Sequence, residues 1–261
     1  MMRGASSVVL AAATIAFRSR VEFTTKAGVV VRYLAVPCLT AWLFLAFASG
    51  GMDRAPTSRD ALCAGLATAA LASSTALTEL MSVDRFEGVT AFIVTASRGR
   101  LLGWLGRAGF VSATGAVTGL VGTTASLVVT AGAGAVFSPT DLLAIPLGSL
   151  SSVGVGLTVG AIGLVQRDSL LLSNLVQRGL PIVCGVVAPL GGLVSGGDAV
   201  AGLFPLGLLV QSTRQESFWN PHDLTTLLVC SMVWIVVGLL LRVSLERHAR
   251  RRGTSELLTA G

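Results

Sequence analysis

The feature that most constrains this chain is the confinement of its charges to short strips between long apolar runs. Of 261 residues, 52% are apolar and 12% are charged, about half the charged share of a soluble globular chain. A water-soluble domain of this length needs charge over its whole surface. Here lipid must stand in for water as the outer solvent. About 20 apolar residues in a helix cross a ~30 Å hydrocarbon core. Six runs are read as such helices, at roughly 29–49, 61–81, 108–131, 142–165, 179–195 and 224–242. Arg32, near the cytosolic end of the first, can snorkel, and Pro37 is expected to kink that helix. The expected fold is an all-α integral membrane protein with six transmembrane helices, a single transmembrane domain over 1–261.

Basic residues set the orientation. With the N-terminus inside, Arg54, Arg59 and Arg214 are the basic residues left outside, out of 19. Basic loops stay on the cytosolic side. Both termini are therefore expected in the cytosol, the basic tail 243–261 included. The same rule accounts for the net charge of +6 without a nucleic-acid partner. Lys26 is the one lysine, and the chain is heavy in Ala, Gly and Val. That composition points to a GC-rich bacterial genome, hence to the bacterial cytoplasmic membrane. Residues 5–17 are as apolar as a signal-peptide core, but they run into Arg18-Ser19-Arg20 rather than a small-residue cleavage site. An interfacial helix over 5–27 is expected, with Arg18, Arg20 and Lys26 toward headgroups. The plainer alternative is an extension of the first span.

Lipid is as apolar as leucine, so small residues that let backbones approach must join the helices. Gly148, Ser152, Gly156 and Gly160 recur every four residues in the fourth run, and Gly115, Gly119 and Thr123 do so in the third. Both ridges read as packing faces.

Several chemistries have no residues to carry them. Cys38, Cys63, Cys184 and Cys230 lie far apart in apolar runs, without zinc-site spacing. Lys26 follows Thr25, so no GxxxxGK[ST] phosphate loop exists. His222 lies in an outer loop and His248 in the basic tail, and no GxSxG marks a serine nucleophile. The span interiors lack the acids of proton-coupled transporters. Glu79, toward the cytosolic end of the second run, reads as a solvated helix end. No catalytic residue, metal site or cofactor is expected on this chain.

The segment 82–107 carries the most information. It is cytosolic in this orientation and mixes six charges with Phe86, Phe92, Ile93, Leu101, Leu102 and Trp104. A short amphipathic helix along the membrane, followed by a basic turn, is expected. It either presents a partly apolar knob to a cytosolic partner or lies passively in the headgroups. Its residues Asp84-Arg85-Phe86-Glu87-Gly88-Val89-Thr90-Ala91, then Thr95-Ala96-Ser97-Arg98-Gly99-Arg100, resemble the coupling helix and following turn of the type-2 ABC export permeases. In that family the pattern is close to E-R-x-x-G-T-L-E and T-P-hydrophobic-S-R. Here Ala91 replaces the closing glutamate and Ala96 the proline. The leading interfacial helix also resembles that family. So does the Pro-containing outer segment at 196–223, with Leu203-Phe204-Pro205-Leu206 and Asn220-Pro221.

The resemblance implies a membrane subunit of a bacterial exporter. It pairs with a separate ABC ATPase that carries the ATP and Mg, and with a second permease, identical or related, amid membrane lipid. Asp84, Arg85, Phe86, Glu87, Gly88, Arg98 and Arg100 would contact the ATPase. Phe204, Pro205, Leu206 and Leu209, in a partly re-entrant outer segment, would form an outer gate. The cargo would be amphipathic or hydrophobic: a drug, a secondary metabolite, a peptide or a lipid-linked glycan. The alternatives are a non-transporting membrane scaffold and an ion-gradient-driven secondary transporter.

Overall fold

A chain that must satisfy its backbone inside lipid folds into helices, and every described element is helical. The computed structural model describes residues 2–18, 20–52, 55–86, 100–130, 139–163, 169–215 and 220–252. In chain order the helices are α1 (Met2–Arg18), α2 (Lys26–Val30), α3 (Val36–Met52), α4 (Ser58–Phe86), α5 (Arg100–Thr130) and α6 (Ala144–Gly163). They continue as α7 (Ser169–Val183), α8 (Leu190–Leu193), α9 (Gly197–Ala201), α10 (Pro205–Arg214) and α11 (Pro221–Arg252). Five helical stretches are long and apolar enough to cross a membrane: Lys26–Ser49, Ser58–Arg85, Gly103–Thr130, Asp141–Gly163 and Pro221–Leu245.

Local chemistry explains where these helices begin and bend. The Gly28 N–H donates to Thr25 Oγ1 at 3.0 Å, capping α2. Between α2 and α3 the chain makes a π turn over Val31–Ala35, in which the Val36 N–H reaches back to the Val31 carbonyl. Pro37 follows directly, and its ring crowds the carbonyl of Tyr33. The widened turn makes room for that ring, so the expected kink takes the form of a π turn. At the start of α4, Asp60 Oδ2 accepts from both the N–H and the hydroxyl of Thr57, at 2.8 Å each. The Asp60 N–H returns a bond to Thr57 Oγ1 at 3.3 Å. This is a reciprocal cap of the Thr-x-x-Asp kind.

Helix α4 is the axis of the bundle, with α3, α5, α6, α7 and α10 around it. Its buried surface is largely Ala, Ser, Thr and Gly between Leu66, Leu77 and Met81, so neighbours come within backbone contact. A Cβ on Gly115 of α5 would overlap Ser73 Oγ and Ser149 Oγ. A Cβ on Gly119 would sit 2.5 Å from Ala69 Cβ and 2.7 Å from Ile145 Cγ2. From α6, Gly156 packs on the Ser74 backbone, where an added Cβ would lie 2.5 Å from the carbonyl oxygen, and Gly160 packs on Met81. The Ser73 and Ser149 hydroxyls are 2.6 Å apart, and Ser149 donates to the Ser112 carbonyl at 2.6 Å. Three helices therefore meet at one chain of hydroxyls. Other α4 hydroxyls bond their own helix: Thr68 to the Ala64 carbonyl, Thr75 to Leu71 and Ser82 to Thr78.

Helix α11 runs parallel to α6. Gly154 backs onto Trp234 and Ile235, and Gly238 onto Leu157 and Thr158. The chain between two parallel helices must travel back along the height of the bundle. One straight helix over 179–195 does not make that journey. Helix α7 stops at Val183, where the Gly185 N–H bonds to the Ile182 carbonyl and the Val186 N–H to Pro181. Gly185 has φ 70°. These paired bonds around a left-handed glycine form a Schellman stop. Pro189 and Gly191-Gly192 follow it, and the outer segment proceeds as the short helices α8, α9 and α10.

Two further boundaries differ from the sequence reading. Residues 82–86 and 100–107 are the end of α4 and the first turns of α5, not part of a separate short helix. Residues 87–99, the remainder of the coupling region expected over 82–107, lie outside the described residues, as does 253–261. The N-terminal segment is not one helix over 5–27. Helix α1 ends at Arg18, a 3-10 turn spans Val21–Thr24, and α2 begins at Lys26.

Candidate functional site

Three places gather the polar and shaped features of the molecule: the end of the bundle where α4 stops and α5 starts, a groove along α3 and α7, and the outer segment.

At the first, Asp84 and Arg107 form an ion pair, each side chain 12% exposed. Arg85 donates to the Gly163 carbonyl at 3.2 Å. Gly163 ends α6, so the guanidinium covers the negative end of that helix. Trp104 of α5 is buried, with the Arg242 guanidinium 3.7 Å from its ring centre and Arg107 at 5.2 Å. Cations over an indole face are attracted by its quadrupole. The ends of α4, α5, α6 and α11 are thus pinned together around the 87–99 connection. Asp84 and Arg85 face into the bundle and are buried. Phe86 is the last residue of α4 and Arg100 the first of α5; Glu87, Gly88 and Arg98 lie outside the described residues.

The same end holds α1 and the later turns of α11. A Cβ on Gly106 of α5 would overlap the Val9 carbonyl of α1. Arg20 donates to the Ala76 carbonyl at 2.8 Å. Glu79 is paired, unlike the solvated helix end expected from sequence: its Oε2 lies 3.5 Å from Arg20 and 3.4 Å from Arg32.

The groove has a volume of ≈ 610 Å³ and is walled by the α2–α3 helix, α4, α5 and α7. Its charged lining residues are Arg32 and Arg178, with Gln177 beside them. Arg178 is exposed and makes no ion pair among the described residues. It lies on a stripe of α7 with the exposed Leu171, Leu175 and Ile182. In the sequence Arg178 stands just ahead of the run 179–195 read as a span. The available signal was the cluster Asn174, Gln177, Arg178 and Pro181 in an otherwise apolar stretch. The clamp partners Trp104, Arg107 and Arg242 were also missed, because nothing local marks contacts between helices so distant in sequence.

In the outer segment Pro205 opens α10, where its missing N–H costs nothing. Leu206 and Leu209 are each 1% exposed, in one cluster with Leu66 and Ile145. A Cβ on Gly148 would touch Leu66 and Leu209 side chains at 3.1 and 3.2 Å. Phe204 stacks on Trp234, centroids 5.3 Å apart. The Leu203 carbonyl accepts from Trp234 Nε1 at 2.8 Å. Arg214, at the end of α10, donates to the Val186 carbonyl of the turn after α7 at 3.2 Å. The four expected gate residues thus sit together between α4, α6 and α11, with Ser152 buried deeper along α6. Among the described residues, no group of three or more His, Cys, Asp or Glu could hold a metal ion. No protein-family model, no curated protein and no solved structure matches this chain.

Proposed function

We propose that this chain is the permease subunit of an ABC exporter, with two copies or a related pair in the membrane and ATP hydrolysed on a separate ATPase. The carrying observation is the clamp. Asp84–Arg107, Arg85 on the end of α6 and Arg242 on Trp104 tie four helix ends to the mouth of the 87–99 connection. A push on that connection by a closing ATPase reaches α4, α5, α6 and α11 together. Asp84 and Arg85 act in this reading as transmission, and Glu87, Gly88 and Arg98 as the contact surface. Six passages and cytosolic termini are part of the proposal. The parallel course of α6 and α11 and the meeting of α1 and α11 at the clamp support it, with α7 rising and α8–α10 dipping back as the fifth passage. The buried Leu206 and Leu209 are the closed outer gate, and the cargo is amphipathic.

The test is to purify the chain with a candidate ATPase bearing GxxxxGK[ST] and to compare wild type with Glu87→Ala and Arg85→Ala. The proposal expects both variants to lose most of the stimulation of ATP hydrolysis, Glu87→Ala while keeping the wild-type melting temperature. Unchanged assembly and stimulation in both would reject the coupling role.

A further inference from the structure

We propose that the groove between α3 and α7 holds a single-chain anionic amphiphile. Its phosphate or carboxylate lies against Arg178 and Arg32, and its alkyl chain runs along Phe44, Phe47 and Leu71. This deepens the export reading, on which it rests for calling the ligand a cargo; the binding itself does not need an ATPase.

The volume of ≈ 610 Å³ suits one small ligand. The walls are more apolar than their residue names suggest. Thr68, Thr75 and Thr118 line the groove, but their hydroxyls are bonded to the Ala64, Leu71 and Gly115 carbonyls. Each of these hydroxyls is therefore already satisfied within its own helix. From Arg32 to Phe47 the α3 side extends about 22 Å at 1.5 Å per residue, enough for an extended alkyl chain.

The charge is one-sided. Among the described residues, no acidic side chain lines the groove. Glu79 Oε2 lies 3.4 Å from Arg32 and 3.5 Å from Arg20. Arg178 adds a further cation. Lining residues also follow an order. Along α2–α3 the first is Arg32 and the last Phe47; along α7 the first are Gln177 and Arg178 and the last Ile182. Both helices leave from the clamp end, so each wall has its arginine at that end and its apolar residues beyond. A planar guanidinium matches phosphate or carboxylate bidentately. A head at the arginines with a tail pointing away satisfies both halves of the groove. A cationic amphiphile meets like charge at Arg178, and a neutral one leaves Arg178 unpaired.

The experiment uses the purified full chain in neutral maltoside detergent, without ATPase. The probes are dodecyl phosphate and dodecyltrimethylammonium, each with a photoreactive diazirine at the tail end, and adducts are mapped by mass spectrometry. The phosphate probe is expected to label α3 and α4 residues around Phe44, Phe47 and Leu71. Unlabelled dodecyl phosphate should compete, and inorganic phosphate should not. Arg178→Gln should reduce labelling at least tenfold, and Arg178→Lys should retain part of it. Ala72→Leu, which fills the groove wall and leaves both arginines, should also reduce it. Equal labelling by the trimethylammonium probe, or wild-type labelling of Arg178→Gln, overturns the inference. So does an unlabelled groove in which Arg178→Cys cross-links to a second copy, because the partner would then be its occupant. A chain that binds the phosphate probe but never stimulates an ATPase keeps this site and loses the export reading.

Discussion

Helices α4 and α11 are both long enough to cross a membrane, yet 94% of the α4 window is buried and 17% of the α11 window. The more apolar of the two is α11, and it lies outside. In water that order would be reversed. In lipid an apolar side chain gains little by leaving the solvent, so burial follows from how closely a helix can be approached. Helix α4 is rich in Ala, Ser, Thr and Gly and is enclosed. Helix α11 offers Leu228, Val229, Met232, Val233 and Val236, all exposed. Hydropathy thus selects the helices that cross, and side-chain size selects the one at the centre.

That contrast can be broken most severely at the polar end of α4. Asp84→Ala leaves the Arg107 guanidinium, 12% exposed, without its carboxylate. Losing one partner of a buried pair costs about 3–5 kcal/mol, so this variant should show the largest drop in melting temperature in detergent. Restoring neutrality with Arg107→Ala in the same chain should recover part of that loss, a coupling that a double-mutant cycle reads directly. Next comes the close crossing. Gly156→Leu drives a side chain into the Ser74 backbone, which cannot rotate away. A cost of about 1–3 kcal/mol is expected from overpacking, with the loss seen as aggregation on size exclusion. Ser73→Ala removes one member of the three-helix hydroxyl chain. Interhelical hydrogen bonds in membranes average about 0.6 kcal/mol, so a small but measurable shift in melting is expected. Smallest of all is Val233→Leu on the open face of α11, expected within about 0.5 kcal/mol of wild type. A large effect there, or none at Gly156, would remove the distinction between centre and rim.

The sequence carries the long helices and their packing faces plainly. Apolar runs mark the five long stretches, and the four-residue spacing of Gly115 with Gly119 and of Gly156 with Gly160 marks the faces that meet α4. The interrupted passage after α6 was harder to see, because its composition is as apolar as a span. Its stop depends on Gly185 taking a left-handed conformation after Pro181, which spacing of apolar residues does not register. Hidden for a different reason were the charge partners. Glu79 meets Arg20 and Arg32, and Arg85 meets the end of α6, across separations that only the packed bundle defines. Arg178 lines the groove because α7 forms one of its walls, which its place ahead of an apolar run does not register.

The export reading stands or falls on whether ATP on a partner opens the outer side of this bundle. The direct measurement is labelling of Leu206→Cys, in a chain whose four native cysteines are alanine, by a membrane-impermeant maleimide applied from outside to the ATPase complex. Leu206 is 1% exposed in the structure, so protection is predicted without nucleotide and rapid labelling with ATP trapped by a hydrolysis-deficient ATPase. Equal labelling in the two states would contradict the account.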